Sequence, residues 1–339
     1  MQRLCIYYIK PKPAKRWIAG DQHVRGFVRK LRGQKERLGS IEKVFLHLCR
    51  GFDLLGVNYI RNLPFRLLEP NDVVIMLGNG LDCLKGYDRP NPIIAGIGLM
   101  THPAQWPGLF EEYPVSVYLQ HSEWTMALYK KYYGDRCAVW PVGIDTQEWR
   151  PVDTEKDIDV LIYDKIMFDR ATMTDNLLEP LCRYLEKRNL RIKLIRYGHY
   201  EPEEYKRLLS RSRAMVFLCE HESQGIAYQE AMAMDTPILA WDQGMWLDPN
   251  RFGWKEDRVE ATSVPYFDKR CGARFSDAAM FPGSFETFWA GIGRHEFQPR
   301  AYVLENLTLE KSAAGMLAIV QKWAPPTNQV RFSQIIGSR

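Results

Sequence analysis

Two carboxylates in the second half of the chain have the residue type and spacing that could do chemistry. Glu222 and Glu230, with seven residues between them, lie in HESQGIAYQEAMAMDTP, which is bracketed by the apolar runs AMVFLC and ILAW. Short apolar runs of this kind read as buried parallel strands, and GIAYQEAMAM between them is rich in strong helix formers. Ser223 is of a type that caps a helix, and Asp235-Thr236-Pro237 ends one. In one continuous helix, eight steps would turn Glu230 about 80° from Glu222 and shift it about 12 Å along the axis. Glu222 precedes the helix, however, so the loop can fold it over the strand ends, with Gly225 admitting a close backbone approach. The unpaired amides of the helix start would then lie between two acids. Such a site accepts phosphate at its amides and polyol hydroxyls at its carboxylates, which suits a sugar nucleotide. The bland alternative is two solvated acids around an ordinary strand–helix–strand unit.

The elements that must hold these acids alternate along the chain. RLCIYYI (3–9), DVVIML (72–77), NPIIAGIGLM, PVSVYLQHS, DIDVLIYDK (157–165) and RIKLIRYG read as strands. IEKVFLHLCRGFDLL (41–55), TDNLLEPLCRYLEKRN (174–189, with Pro180 able to kink it) and HYEPEEYKRLLSRSR read as helices, and ENLTLEKSAAGMLAIVQKW (305–323) as a terminal one. The alternation predicts an α/β fold with parallel, doubly wound sheets. After ILAWDQG the chain reads as loop-rich and dense in aromatics, from Trp246 to Trp289, and such a stripe is core before it is a sugar platform.

A length of 339 residues exceeds one ordinary core and suits two domains. The boundary falls near a Pro-Val-Gly turn, giving 1–150, 151–323 and a tail at 324–339. No run of 18 or more apolar residues occurs, and the apolar core of MQRLCIYYIKPKP is too short for a signal peptide. The seven cysteines are scattered singly, without a CxxC pair, so they read as reduced, packed thiols of a cytoplasmic protein, with no metal site. The net charge of +5 is unevenly placed: residues 10–37 hold ten Lys or Arg against Asp21 and Glu36. That segment could meet an anionic membrane surface, or it could be a solvated helix face. No motif for nucleic acid accompanies it, so nucleic acid is not expected as a partner.

ESQGIAYQEAMAMDTPILAW resembles the donor-binding segment of retaining glycosyltransferases of the GT-B fold, family 4 type. HSEWTMALYKKYYGDRCAVWPVGIDTQEWRP (121–151) is similar to the family's helix, short strand and Pro-x-Gly-Ile-Asp exit. The resemblance implies two Rossmann-like domains facing across a cleft, the first on the acceptor side and the second on the donor side. It implies that Glu222 binds donor-sugar hydroxyls and Glu230 the ribose, with Ser223, Gln224, Gly225 and Ile226 supplying the turn between them. The family's strand-end cation and its partner five residues on would be Lys165 and Arg170, with the cation types exchanged. Gly20 would approach the phosphates after the first strand, and Tyr197 and Gly198 lie where the base would be held. A histidine near the reactive carbon would be His102, with His121 competing. Family members need no metal and no separate cofactor. The implied partners are a nucleotide-diphosphate sugar and a glycan or lipid-linked acceptor. Two other readings stay open: a sugar-nucleotide epimerase of the same fold, and a non-catalytic nucleotide- or glycan-binding protein.

Overall fold

The computed structural model describes residues 2–9, 39–78 and 80–325. The basic segment 10–37, Gly20 within it and the tail from 326 lie outside the described residues. The chain divides into two compact units, Met1–Leu119 with Leu317–Arg339, and Gln120–Met316. Among the described residues no helix is long and apolar enough to cross a membrane.

In the first unit the strands are β1 (Leu4–Tyr7), β2 (Tyr59–Arg61), β3 (Val73–Leu77), β4 (Ile93–Gly96) and β5 (Val115–Gln120). They run parallel in the order β2-β1-β3-β4-β5. Every residue of β3 is apolar and buried, as a strand covered on both faces requires. Helix α1 (Ser40–Leu54) buries Val44, Phe45, Leu48, Cys49 and Phe52, one stripe at helical spacing. The short α2 (Leu109–Glu112) precedes β5.

The second unit opens with α3 (Glu123–Tyr133), whose N-cap Ser122 receives and returns hydrogen bonds with Thr125, and with the short β6 (Cys137–Val139). Then come β7 (Ile158–Lys165), α4 (Arg170–Met173), α5 (Glu179–Lys187), β8 (Ile192–Arg196), α6 (Pro202–Arg211), β9 (Ser212–Cys219), α7 (Ile226–Ala233) and β10 (Ile238–Trp241). Beyond them lie β11 (Gly272–Phe275), α8 (Phe281–Gly293), α9 (Pro299–Asn306) and α10 (Leu309–Trp323). The strands form a parallel sheet in the order β11-β10-β9-β7-β8. Alternate residues of β7 feed two cores: Leu161 and Tyr163 join one, Val160 and Ile162 the other. Helices cover both faces, so the α/β, doubly wound expectation holds for this sheet. The helical run from Arg170 to Lys187 is unbroken, but just before Pro180 it widens into a π-type turn at Thr174–Leu178, as a proline that removes a ladder donor requires.

The aromatic stretch after β10 is not all loop. Phe281, Phe285 and Phe288 are buried one turn apart on α8 and pack against Leu181 and Trp241, so the core reading of these rings is the right one. The Pro141-Val142-Gly143 turn is a close crossing. Ile144 N–H donates to Leu307 O at 2.7 Å, and a Cβ on Gly143 would lie 2.6 Å from Leu309 Cα and 2.8 Å from Thr308 O. Asp145 closes the turn by accepting the Gln147 and Glu148 amides. Because the obstructing atoms are backbone, Gly143→Ala should destabilise the fold by about 1–3 kcal/mol. Urea unfolding of the two proteins side by side measures it.

Candidate functional site

The second sheet, renumbered within its unit, reads 2-1-3-4-5. In open parallel sheets of this order, ligands bind outside the carboxyl ends of the strands at the point where the order reverses. Here that point lies between β7 and β9, and Lys165 and Cys219 end the two strands level with each other. The chain places its chemistry-bearing residues there: Asp164 and Lys165 from β7, Glu220, His221 and Glu222 after β9, and Tyr197 and Gly198 after β8.

Lys165 Nζ donates to Glu222 Oε1 at 2.5 Å, and the pair is largely shielded, with side-chain exposures of 19% and 11%. The ammonium also lies 4.6 Å from the centre of the Tyr197 ring, a cation–π contact. Burial pulls the Lys165 ammonium down, but the adjacent Glu222 carboxylate overcomes it and holds the group above its ordinary range. The site therefore keeps one fixed positive charge against one carboxylate.

The Glu222 backbone is anchored on both sides. Its N–H donates to Thr262 O at 3.0 Å, and its carbonyl accepts Trp124 Nε1–H at 2.8 Å. Helix α7 begins four residues later, at Ile226. Ser223 is exposed and does not cap it; Gly225 does, at a left-handed φ of 81°. A Cβ at Gly225 would overlap the Tyr228 ring, so the sharp entry needs glycine where the sequence pattern points to serine. The first helical bond of α7 is from Gln229 N–H to Gly225 O at 3.2 Å, so the amides of Ile226, Ala227 and Tyr228 come before the ladder begins. Glu230 is buried on α7, with its charge felt by Tyr200 and Tyr205.

Four expected site residues have other attachments. Arg170 directs both terminal guanidinium nitrogens at Asp164, each at 2.5 Å, and Asp164 is fully buried. It braces the end of β7. Gln224 accepts Val142 N–H at 3.0 Å and donates to Val142 O at 3.3 Å and to Gln229 Oε1 at 2.8 Å. Its amide is a splice between the loop and the Pro141–Gly143 turn. His102, in the first unit, is fully buried and caps a short turn by accepting the Ala104 N–H at Nδ1. His121 is buried in the second unit, and its carbonyl accepts the Tyr266 hydroxyl.

Two contributors escaped the sequence reading. Glu220 accepts the amides of Met167 and Phe168, each at 2.9 Å, and so shapes the loop after β7; burial raises its pKa against those two donors. His221 stacks on Phe168 at 5.9 Å and meets Trp124 and Trp246 edge-on. An acid directly after a buried strand is the signal for Glu220; nothing in the sequence links Trp124 to residue 222. Among the described residues no group of three or more His, Cys, Asp or Glu is arranged to hold a metal ion.

Residues 155–250, from just before β7 to beyond β10, match the family described as Glycosyl transferases group 1. No curated protein matches the chain. Among solved structures it is similar to AviGT4, a glycosyltransferase involved in Avilamycin A biosynthesis, with a TM-score of 0.57 and 13% identity over 94% of this chain and 97% of that one. It is similar to the GtfA/B complex, with a TM-score of 0.51 and 13% identity over 75% of this chain and 58% of that one. It is also similar to S. aureus TarM, solved as a mutant with Fondaparinux, alpha-GlcNAc-glycerol and UDP, with a TM-score of 0.53 and 10% identity over 81% of this chain and 58% of that one. These neighbours are GT-B glycosyltransferases, and the likeness fixes the fold: α/β, with two parallel-sheet Rossmann-like domains.

Burial pushes the His121 and His221 imidazoles down to about 4. Their ordinary pKa in an unfolded chain is about 6.5, so between the two values the unfolded chain binds more protons and stability rises with pH. The contribution is complete above about pH 6.5 and is lost as pH falls towards 4. Unfolding free energies between pH 4.5 and 7.5 should show this slope, and it should flatten when both histidines are replaced by glutamine.

Proposed function

We propose that the protein is a retaining glycosyltransferase of the family 4 type. It moves a sugar from a nucleotide-diphosphate donor to a hydroxyl of a glycan or lipid-linked acceptor, without a required metal. The observation that carries this reading is the Lys165–Glu222 pair at the reversal point of the second sheet, beside the start of the helix that bears Glu230.

The donor side lies in residues 151–323. The Lys165 ammonium and the first amides of α7 offset the charge that grows on the departing diphosphate. A carboxylate offers about four lone-pair positions, so Glu222 can accept from Lys165 and from sugar hydroxyls together. Glu230 takes the ribose hydroxyls, and Tyr197 and Gly198 border the base. Arg170 acts through Asp164, keeping Lys165 at its height on β7. With Glu222 engaged by a cation, the preferred course is attack on the front face of the anomeric carbon. The acceptor oxygen forms its bond as the bond to the diphosphate oxygen breaks. The electron pair leaves with the diphosphate, which also takes the acceptor's proton, and configuration is retained.

Incubation with a panel of sugar nucleotides, with product linkage read by NMR, tests the assignment. Lys165→Ala and Glu222→Ala should each lower kcat/KM by about 10²-fold or more. An epimerised free sugar would favour the epimerase. Nucleotide binding with no turnover by the unaltered protein would favour a binding module.

A further inference from the structure

Trp124 is the second residue of α3, and it is bound to the loop that carries Glu222. Its indole Nε1–H donates to Glu222 O at 2.8 Å, while the Glu222 N–H donates to Thr262 O at 3.0 Å. Both supports are themselves fixed. The first turn of α3 is closed by Ser122 and Thr125, and Thr262 Oγ1 donates to Asp242 Oδ2 at 2.7 Å. The peptide groups on either side of the Glu222 Cα are therefore tied to elements outside its own loop. Glu220 and Gln224 fix the two ends of the loop through their side chains, and the bonds from Trp124 and to Thr262 are the ones that hold the backbone of Glu222 itself.

The rings extend the support. Trp124 meets His221 edge-on at 5.9 Å and lies 6.4 Å from Trp246, and His221 stacks on Phe168. Phe168 belongs to the loop after β7, which Glu220 pins through its amides. The two loops that present Lys165 and Glu222 thus share one aromatic brace, of which Trp124 supplies the hydrogen bond.

We infer that Trp124 is a positioning residue for the donor sugar, acting through the Glu222 backbone to hold the carboxylate where sugar hydroxyls meet it. The inference rests on the reading of Glu222 as the sugar-binding acid. A residue with this role alters recognition of the sugar without altering recognition of the nucleotide. A merely structural residue alters both or neither.

Trp124→Phe keeps an aromatic ring and removes the N–H. It should lower kcat/KM for the sugar nucleotide roughly tenfold, the scale of one lost hydrogen bond to a positioned group, and leave the Kd for the matching nucleoside diphosphate within about twofold. Benzothienylalanine at position 124, isosteric but without the N–H, gives the same comparison if the phenylalanine variant fails to fold. Unchanged sugar-nucleotide kinetics, or an equal loss for both ligands, would overturn the inference while leaving the transferase intact. An unaltered protein that turns over no sugar nucleotide overturns the transferase and the inference with it.

Discussion

One ion pair organises the second unit. Lys165 ends β7, Glu222 lies in the loop after β9, and the two meet at 2.5 Å in a largely shielded position. Removing two charges from water is costly, and the attraction between them repays that cost only when geometry is good and neighbours help. The neighbours are present. Tyr197 offers its ring face to the ammonium, and both peptide groups of Glu222 are hydrogen-bonded. An arrangement of this kind is poor value as a stabiliser, since an apolar pair would serve as well. Its benefit is to hold two opposite charges ready at one place.

The sheet makes that place. Every pairing recorded in it is parallel, so all the carboxyl ends point to one side. The reversal of order between β7 and β9 opens a gap in the helix cover, because connections from the two strands leave in opposite directions. The bulky apolar content of both strands is what fixes their height. Tyr163 stacks against Phe217 and Leu161 lies level with Met215, and a slip by one residue would exchange the two cores. The register of apolar side chains within the sheet thus determines that Lys165 ends level with Cys219, three residues before Glu222.

Much of this was legible in the sequence. The strands β1, β3, β7, β9 and β10 announce themselves as apolar runs, and the acid spacing singles out the loop after β9. What was not legible is what depends on distant partners. Ser223 has the right chemistry for a cap, but the tight entry forced by Tyr228 puts Gly225 there instead. The tie of Arg170 to Asp164, which takes both of its terminal nitrogens, has no signature in the local pattern. Strand β11 and helices α8 and α9 were hidden because glycines and aromatics blur local propensity, although Phe281, Phe285 and Phe288 did keep a helical interval. Trp124 gave no hint at all, since 98 positions separate it from the carbonyl it holds.

Gln224 joins two segments that lie 82 positions apart, with one carboxamide bonded to both the N–H and the C=O of Val142. A single planar group bonded to the two successive peptide units that flank the Val142 Cα resists rotation as well as separation. The acid-bearing loop and the Pro141–Gly143 turn are thereby welded into one rigid piece, and Gln229 stiffens the weld from the first turn of α7. Any displacement of that turn carries the loop along with it. The placement of the acid-bearing loop is therefore set as much by a turn 82 positions upstream as by the strand that precedes it.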